Sequence, residues 1–375
     1  MGQSENKRAT LVSEQSYFAE KHKKRVNYFT KSQAFMEYSS EWIVIFRETL
    51  KPYSPYPWTK PLKSILKSWD DFQDCRTRVT FVWNDYTQKS IPKIDQSRTC
   101  LWPQSIAGLQ TFTYEVEIDP NKKTLSGILL NNTTCTLNKL ISALKVSLFD
   151  YYIEKINGKP ELRHVFLLQI DTIIKEIDEI VLKFIQVLIQ VLPKFFLNFP
   201  QNIDNVEGIV RNAIVSDEIL ELLVIVRKTC LNDSQNKYLD ALQSFCCMRN
   251  SCPMIDRLEK YAESYYLNAI GSVLSIAEGK SIGQIHDSVA MLMNFVSMGL
   301  FDEEKPMNVA DDDEIIQAFL VIIGKSSVPD LPVYMSILNQ FLDNNTLDVK
   351  AVGQGIVKLT YIIDNSTEWE SFIGK

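Results

Sequence analysis

Apolar residues recur at helical spacing over most of this chain, most densely between Val309 and Ile363. There Ile315, Ile316, Phe319, Leu320, Ile322 and Ile323 cover more than one face of a helix that begins near Asp313. A helix apolar nearly all round belongs inside a larger bundle. Gly324 and Lys325 read as stop signals, Pro329 and Pro332 bracket a turn, and Tyr334, Ile337, Leu338, Phe341 and Leu342 resume the period. Ile316, Phe319, Leu320, Ile323, Ile337 and Phe341 are the expected core of the segment. After Asp343–Asn345 a third apolar helix runs to Ile363, with Tyr361 expected inside.

The helical period extends back to Leu137. Leu140–Ile156 ends at Asn157-Gly158-Lys159-Pro160, Leu162–Phe199 is long and apolar with a break expected near Pro193, and Val206–Cys230 continues the theme. Nearer the start, Phe35, Met36, Trp42, Ile43, Phe46 and Leu50 mark a helix that Lys51-Pro52-Tyr53-Ser54-Pro55-Tyr56-Pro57-Trp58 stops. That run reads either as a recognition segment in polyproline form or as a loop packed by its own aromatics. Between Val79 and Leu130 the period becomes two: Val79, Phe81 and Trp83 alternate with polar or smaller neighbours, as do Phe112, Tyr114, Val116 and Ile118. A turn at Asp119–Lys122 before Leu125–Leu130 predicts a β-hairpin. The fold class expected is mainly α, with a C-terminal helical bundle over residues 136–375 (helical support about 136–250, core about 251–375) and a smaller region of mixed α/β character over residues 1–135.

Composition adds limits. The 375 residues are 45% hydrophobic and 23% charged with a net charge of −6, an ordinary globular balance that argues against nucleic acid as the main partner. No apolar run follows Met1, and the most apolar stretch, Ile180–Leu192, falls short of the roughly 20 residues that span a bilayer, so a cytoplasmic chain is expected. Seven scattered cysteines do not form a disulfide framework. The basic run Lys21, Lys23, Lys24 and Arg25 reads either as a solvated helix start or as an attraction to anionic membrane, and Gly2 meets the myristoylation pattern only in part because position 6 is Asn6.

Chemical motifs are few. Cys246, Cys247 and Cys252 lie close in sequence, but His22, His164 and His286 are far from them, so buried thiols are expected and no metal or cofactor. Phosphate-binding glycine loops and HExxH are absent. What stands out is the acidic knot Asp311-Asp312-Asp313-Glu314, which by itself caps a helix and aids solubility.

The run from Ala310 through this knot to Lys325, followed by Val328-Pro329-Asp330-Leu331 and an apolar helix ending at Phe341, resembles the vacuolar-protein-sorting-nine domain. That domain is the all-helical exchange-factor module of the rabex, rin and alsin proteins. The resemblance covers roughly the last 170 residues, with Gln317 in place of the family's helix proline. In that family an aspartate of the knot enters the nucleotide site of a Rab-five-type GTPase, pairs with its phosphate-binding lysine and competes with magnesium and phosphate. The resemblance gives Asp313 that role and makes Asp312, Glu314, Gln317, Pro329, Leu331, Gln354 and Val357 GTPase contacts. The family's tyrosine and, three residues later, threonine on the last core helix fall without gaps on Gln354 and Val357, or on Ala351 and Gln354 with a three-residue shift, so neither register restores them. The function implied is guanine nucleotide exchange on a Rab-five-subfamily GTPase in endosomal traffic, by a cytoplasmic protein peripheral on endosomal membranes. The alternative is a decayed exchange domain that serves as a scaffold or adaptor.

Overall fold

The computed structural model describes residues 33–74, 125–131, 135–158, 160–195, 205–230, 233–248, 253–261, 263–300, 312–341 and 350–373. The described residues are mainly α-helical. They form α1 (Gln33–Leu50), α2 (Thr59–Asp74), α3 (Leu125–Asn131), α4 (Thr136–Asn157), α5 (Pro160–Leu168), α6 (Ile170–Phe195), α7 (Val206–Ile214) and α8 (Glu218–Thr229). There follow α9 (Asp233–Met248), α10 (Pro253–Tyr261), α11 (Glu263–Glu278), α12 (Ile282–Leu300), α13 (Asp312–Ser326), α14 (Leu331–Phe341), α15 (Lys350–Asp364), a 3-10 turn (Ser366–Glu368) and α16 (Trp369–Ile373). Among the described residues no strand forms, and the one extended pairing is an isolated antiparallel bridge between Ser216 and Ser281. No described helix is long and apolar enough to cross a membrane. The chain divides into two compact units, residues 1–151 with 184–210 and residues 152–183 with 211–375.

In the first unit, α1 buries Trp42, Ile43, Phe46 and Leu50. The Trp42 ring meets Phe195 edge-on at 5.0 Å. The Pro-aromatic run after α1 is a series of turns closed by its own side chains: Trp58 is buried, and Tyr53 lies 5.5 Å from it and Tyr56 6.4 Å, ring to ring. Pro52, Pro55 and Pro57 point to solvent. The Thr59 hydroxyl donates to the Tyr56 carbonyl where α2 begins, and Leu62 and Leu66, one turn apart, bury that helix. The Leu125–Leu130 strand expected from alternation is corrected to helix: Leu125 and Leu129 lie four residues apart on the buried face of α3. An apolar run that short fits either period, and a buried Asn138 side chain donates to the Leu129 carbonyl at 2.6 Å, satisfying a group that the helix end leaves open. The alternating segments from Val79 to Ile118 lie outside the described residues. Pro193 sits in the last turn of α6, which ends at Phe195, in keeping with the break expected near Pro193, and a further interruption falls at Gln169.

The Val206–Cys230 run forms two helices, α7 and α8, and the second unit takes it up from Arg211. Asp217 takes φ 48°, and strand-like hydrogen bonds from Asp217 N–H to Lys280 O (2.8 Å) and from Ile282 N–H to Val215 O (2.9 Å) break the run. The Gly279–Ser281 link then folds α12 back along α11, and α13, α14 and α15 pack around this pair. Phe319, Leu320, Ile323, Ile337 and Phe341 are fully buried as expected, while Ile316 is half-buried. Gly324 does not end α13. The helix runs on to Ser326, and Ser327 at φ 51° makes the turn, its N–H bonded to Ile323 O. Tyr361 is corrected from core to surface: it is 43% exposed and lies against Phe372, while Leu359, Ile362 and Ile363 face inward.

Candidate functional site

Asp312, Asp313 and Glu314 of the acidic knot open α13. Asp313 is exposed, and the helix behind it runs inward through Ile315, Ala318, Phe319 and Leu320, all buried. Four N–H groups at a helix start have no partner within the helix, and the positive end of its dipole favours carboxylates there. Glu314 differs from its neighbour. It is half-buried, and one oxygen accepts from Arg257 Nη1 of α10 at 3.0 Å, while Arg257 Nη2 donates to the Leu300 carbonyl at the end of α12 at 3.3 Å. Gln317, one turn on, is half-buried. Asp312 begins the helix.

The turn after α13 separates Pro329 from Leu331. Pro329 is exposed, whereas Leu331 is fully buried and anchors the start of α14, so its side chain shapes the turn from beneath rather than meeting a partner. The buried Tyr238 hydroxyl donates to the Val328 carbonyl at 3.0 Å. Burial, reinforced by Asp330, raises its pKa so that it stays a neutral donor. Lys228 pairs with Asp330 at 2.6 Å. Tyr334 reaches across to donate to the Ala277 carbonyl at 2.9 Å.

On α15, Gln354 is exposed and Val357 is 65% exposed; with Tyr361 they follow an i, i+3, i+7 order along one stripe. The opposite face packs on α12 so closely that a Cβ on Gly355 would lie 3.0 Å from Val289 Cγ1. Asn339 of α14 donates to the Thr360 hydroxyl at 3.2 Å. Helices α13 and α15 are in contact, and their C-terminal ends meet one cluster: Gly324 lies under Phe245, Phe245 under Trp369, and the Trp369 indole N–H donates to Ile362 O at 2.9 Å. Asp313 stands about 16 Å up α13 from that cluster, at 1.5 Å per residue.

This arrangement offers an exposed carboxylate on a rigid helix and, on a neighbouring helix, an exposed stripe of mixed polarity. No group of carboxylate, histidine or cysteine side chains suited to a metal occurs among the described residues. Lys21, Lys23, Lys24, Arg25 and Asp311 lie outside the described residues. Arg257 was not a sequence candidate, because nothing in local spacing connects it to Glu314, which is 57 positions away. Comparison with known protein families, curated proteins and solved structures finds no match.

Proposed function

We propose that this chain is a guanine nucleotide exchange factor for a Rab-five-subfamily GTPase in endosomal traffic, with Asp313 as the residue that acts on the nucleotide site. The observation that carries this reading is the exposed Asp313 at the start of a helix whose apolar residues are otherwise buried. A small GTPase holds GDP because Mg²⁺ and a loop lysine offset the phosphate charge, and an inserted carboxylate gives that lysine a substitute anion. Exchange then follows from linkage: a factor that binds the nucleotide-free state best weakens nucleotide binding by the same factor. No covalent step is needed. Gln354 and Val357 supply the neighbouring contact stripe, and Lys21, Lys23, Lys24 and Arg25 supply attraction to an anionic endosomal surface.

A second reading, a GTPase-binding scaffold without exchange activity, is favoured by one observation. The exposed stripe of α15 carries Gln354 and Val357 where the resemblance calls for tyrosine and threonine. The experiment that separates the two is release of fluorescent GDP from a panel of purified Rab proteins. Accelerated release from a Rab-five-subfamily member is the expected result. Stable binding to a Rab with unchanged GDP release selects the scaffold, and neither binding nor release across the panel removes both.

A further inference from the structure

Arg257 makes one connection that the exchange reading does not require. Its planar guanidinium contacts the Glu314 carboxylate through Nη1 and the Leu300 carbonyl through Nη2. Leu300 is the last residue of α12 and Glu314 the third residue of α13, in the turn most prone to fray. One side chain therefore ties together the two ends of the segment between these helices, a segment whose sequence holds Asp302, Glu303, Glu304 and Asp311 against Lys305.

We propose that Arg257 is the positioning residue of the acidic knot. By taking Glu314 as its partner it fixes the rotation of the first turn of α13 and leaves Asp313 outside. Successive helical residues are about 100° apart, so a Glu314 held against α10 aims Asp313 away from α10. The choice of partner also matters for charge. The guanidinium balances Glu314 and leaves the exposed carboxylate of Asp313 to meet an incoming cation. Lysine replaces it only in part, because one compact ammonium keeps the charge but does not present two donors in a fixed plane.

The effect on activity rests on the exchange reading of Asp313; the effect on the helix start does not. The test therefore uses the full chain with two measurements: hydrogen–deuterium exchange of peptides covering the start of α13, and GDP release from the Rab protein that responds to the wild type. The variants are Arg257→Ala, Arg257→Lys, Glu314→Ala and the Arg257→Ala/Glu314→Ala double. Loss of a half-exposed ion pair with a second hydrogen bond predicts about fivefold faster amide exchange in the first turn of α13 for Arg257→Ala, with α14 unchanged. Arg257→Lys falls between. The double variant is no worse than Arg257→Ala alone, since Glu314→Ala removes a contact that Arg257→Ala has already removed. GDP release falls by a similar factor in kcat. Unchanged amide exchange in Arg257→Ala, or additive losses in the double, overturns the proposal. A wild type that releases GDP from no Rab removes the exchange reading and the activity half of this one, while the amide measurement still decides whether Arg257 holds the knot. Should Arg257→Ala fail to fold, Arg257→Lys and Glu314→Ala decide between the same outcomes.

Discussion

Gly324 and Phe245 approach so closely that no side chain fits between them: a Cβ on Gly324 would lie 2.2 Å from Phe245 Cδ1. The ring is itself packed, meeting Trp369 edge-on at 6.4 Å and 90°, and Trp369 is held by its bond to Ile362. Gly324→Ala should therefore destabilise the fold by about 2 to 3 kcal/mol through overpacking, read by urea denaturation. Adding Phe245→Leu should recover part of that loss when compared with Phe245→Leu alone. An alanine variant as stable as the wild type would show that the α9 to α13 contact is looser than this geometry.

Asp313 and Phe319 lie less than two turns apart on α13 and should respond in opposite ways. Asp313→Ala should slow GDP release at least about tenfold, the loss of roughly 1.4 kcal/mol of charge-assisted pairing, while changing stability by only about 1 kcal/mol. Phe319→Ala, at a fully buried position, should cost about 3 to 5 kcal/mol. Full exchange activity in Asp313→Ala would remove Asp313 from the mechanism.

Arg227 donates to both oxygens of Asp178 at 2.8 Å, and its Nε donates to Ser336 at 3.1 Å, joining α6, α8 and α14 in the second unit. Removing the cation alone strands a buried carboxylate, so Arg227→Met should cost about 3 to 5 kcal/mol, and adding Asp178→Leu should restore much of it. Burial holds the Asp178 carboxyl above the usual carboxylate range, with Arg227 pulling it back down. A group whose folded pKa is raised contributes its stability below the unfolded pKa and loses it as pH rises through the folded one. Without Arg227 the rise is larger, so the penalty for Arg227→Met should shrink as pH falls from neutral toward the carboxylate range. Denaturation midpoints of both proteins across that window give the answer, and a penalty independent of pH would mean that Asp178 is not the group left uncompensated.

Cys230 is half-buried, and its thiol donates to Asp171 at 2.9 Å. Burial first, then the hydrogen bond and charge of Asp171, push its pKa up to about 11. Since the thiolate is the nucleophile, alkylation of Cys230 near pH 8 should be about a hundredfold slower than for a cysteine titrating at its usual value, and should rise with pH toward 11. Asp171→Asn should speed it several-fold without restoring the full rate, because burial remains. Mass spectrometry of iodoacetamide-treated protein measures this directly; a Cys230 that reacts as fast as an exposed thiol would contradict the pairing.

The sequence by itself determined that the described residues from Leu137 onward are mainly helical, where α4, α13 and α14 begin and end to within a few residues, and that Phe319, Leu320, Ile323, Ile337 and Phe341 are core. The cause is local: apolar spacing and turn residues act over one or two turns of the same segment. It also singled out the acidic knot, because four consecutive acids before an apolar helix are visible without knowing what faces them. Tertiary structure decided the rest. Leu125–Leu130 suits either period, and packing of Leu125 and Leu129 with the Asn138 cap selects helix. Tyr361 beside Ile362 and Ile363 fits a core by residue type alone, and the packing of α15 on α12 turns it out. Gly324 carries the same composition whether it ends a helix or admits a ring, and only Phe245 settles which. Arg257 and Glu314 belong together because folding brings α10 against α13, and a contact between groups so far apart in sequence leaves no trace in local spacing.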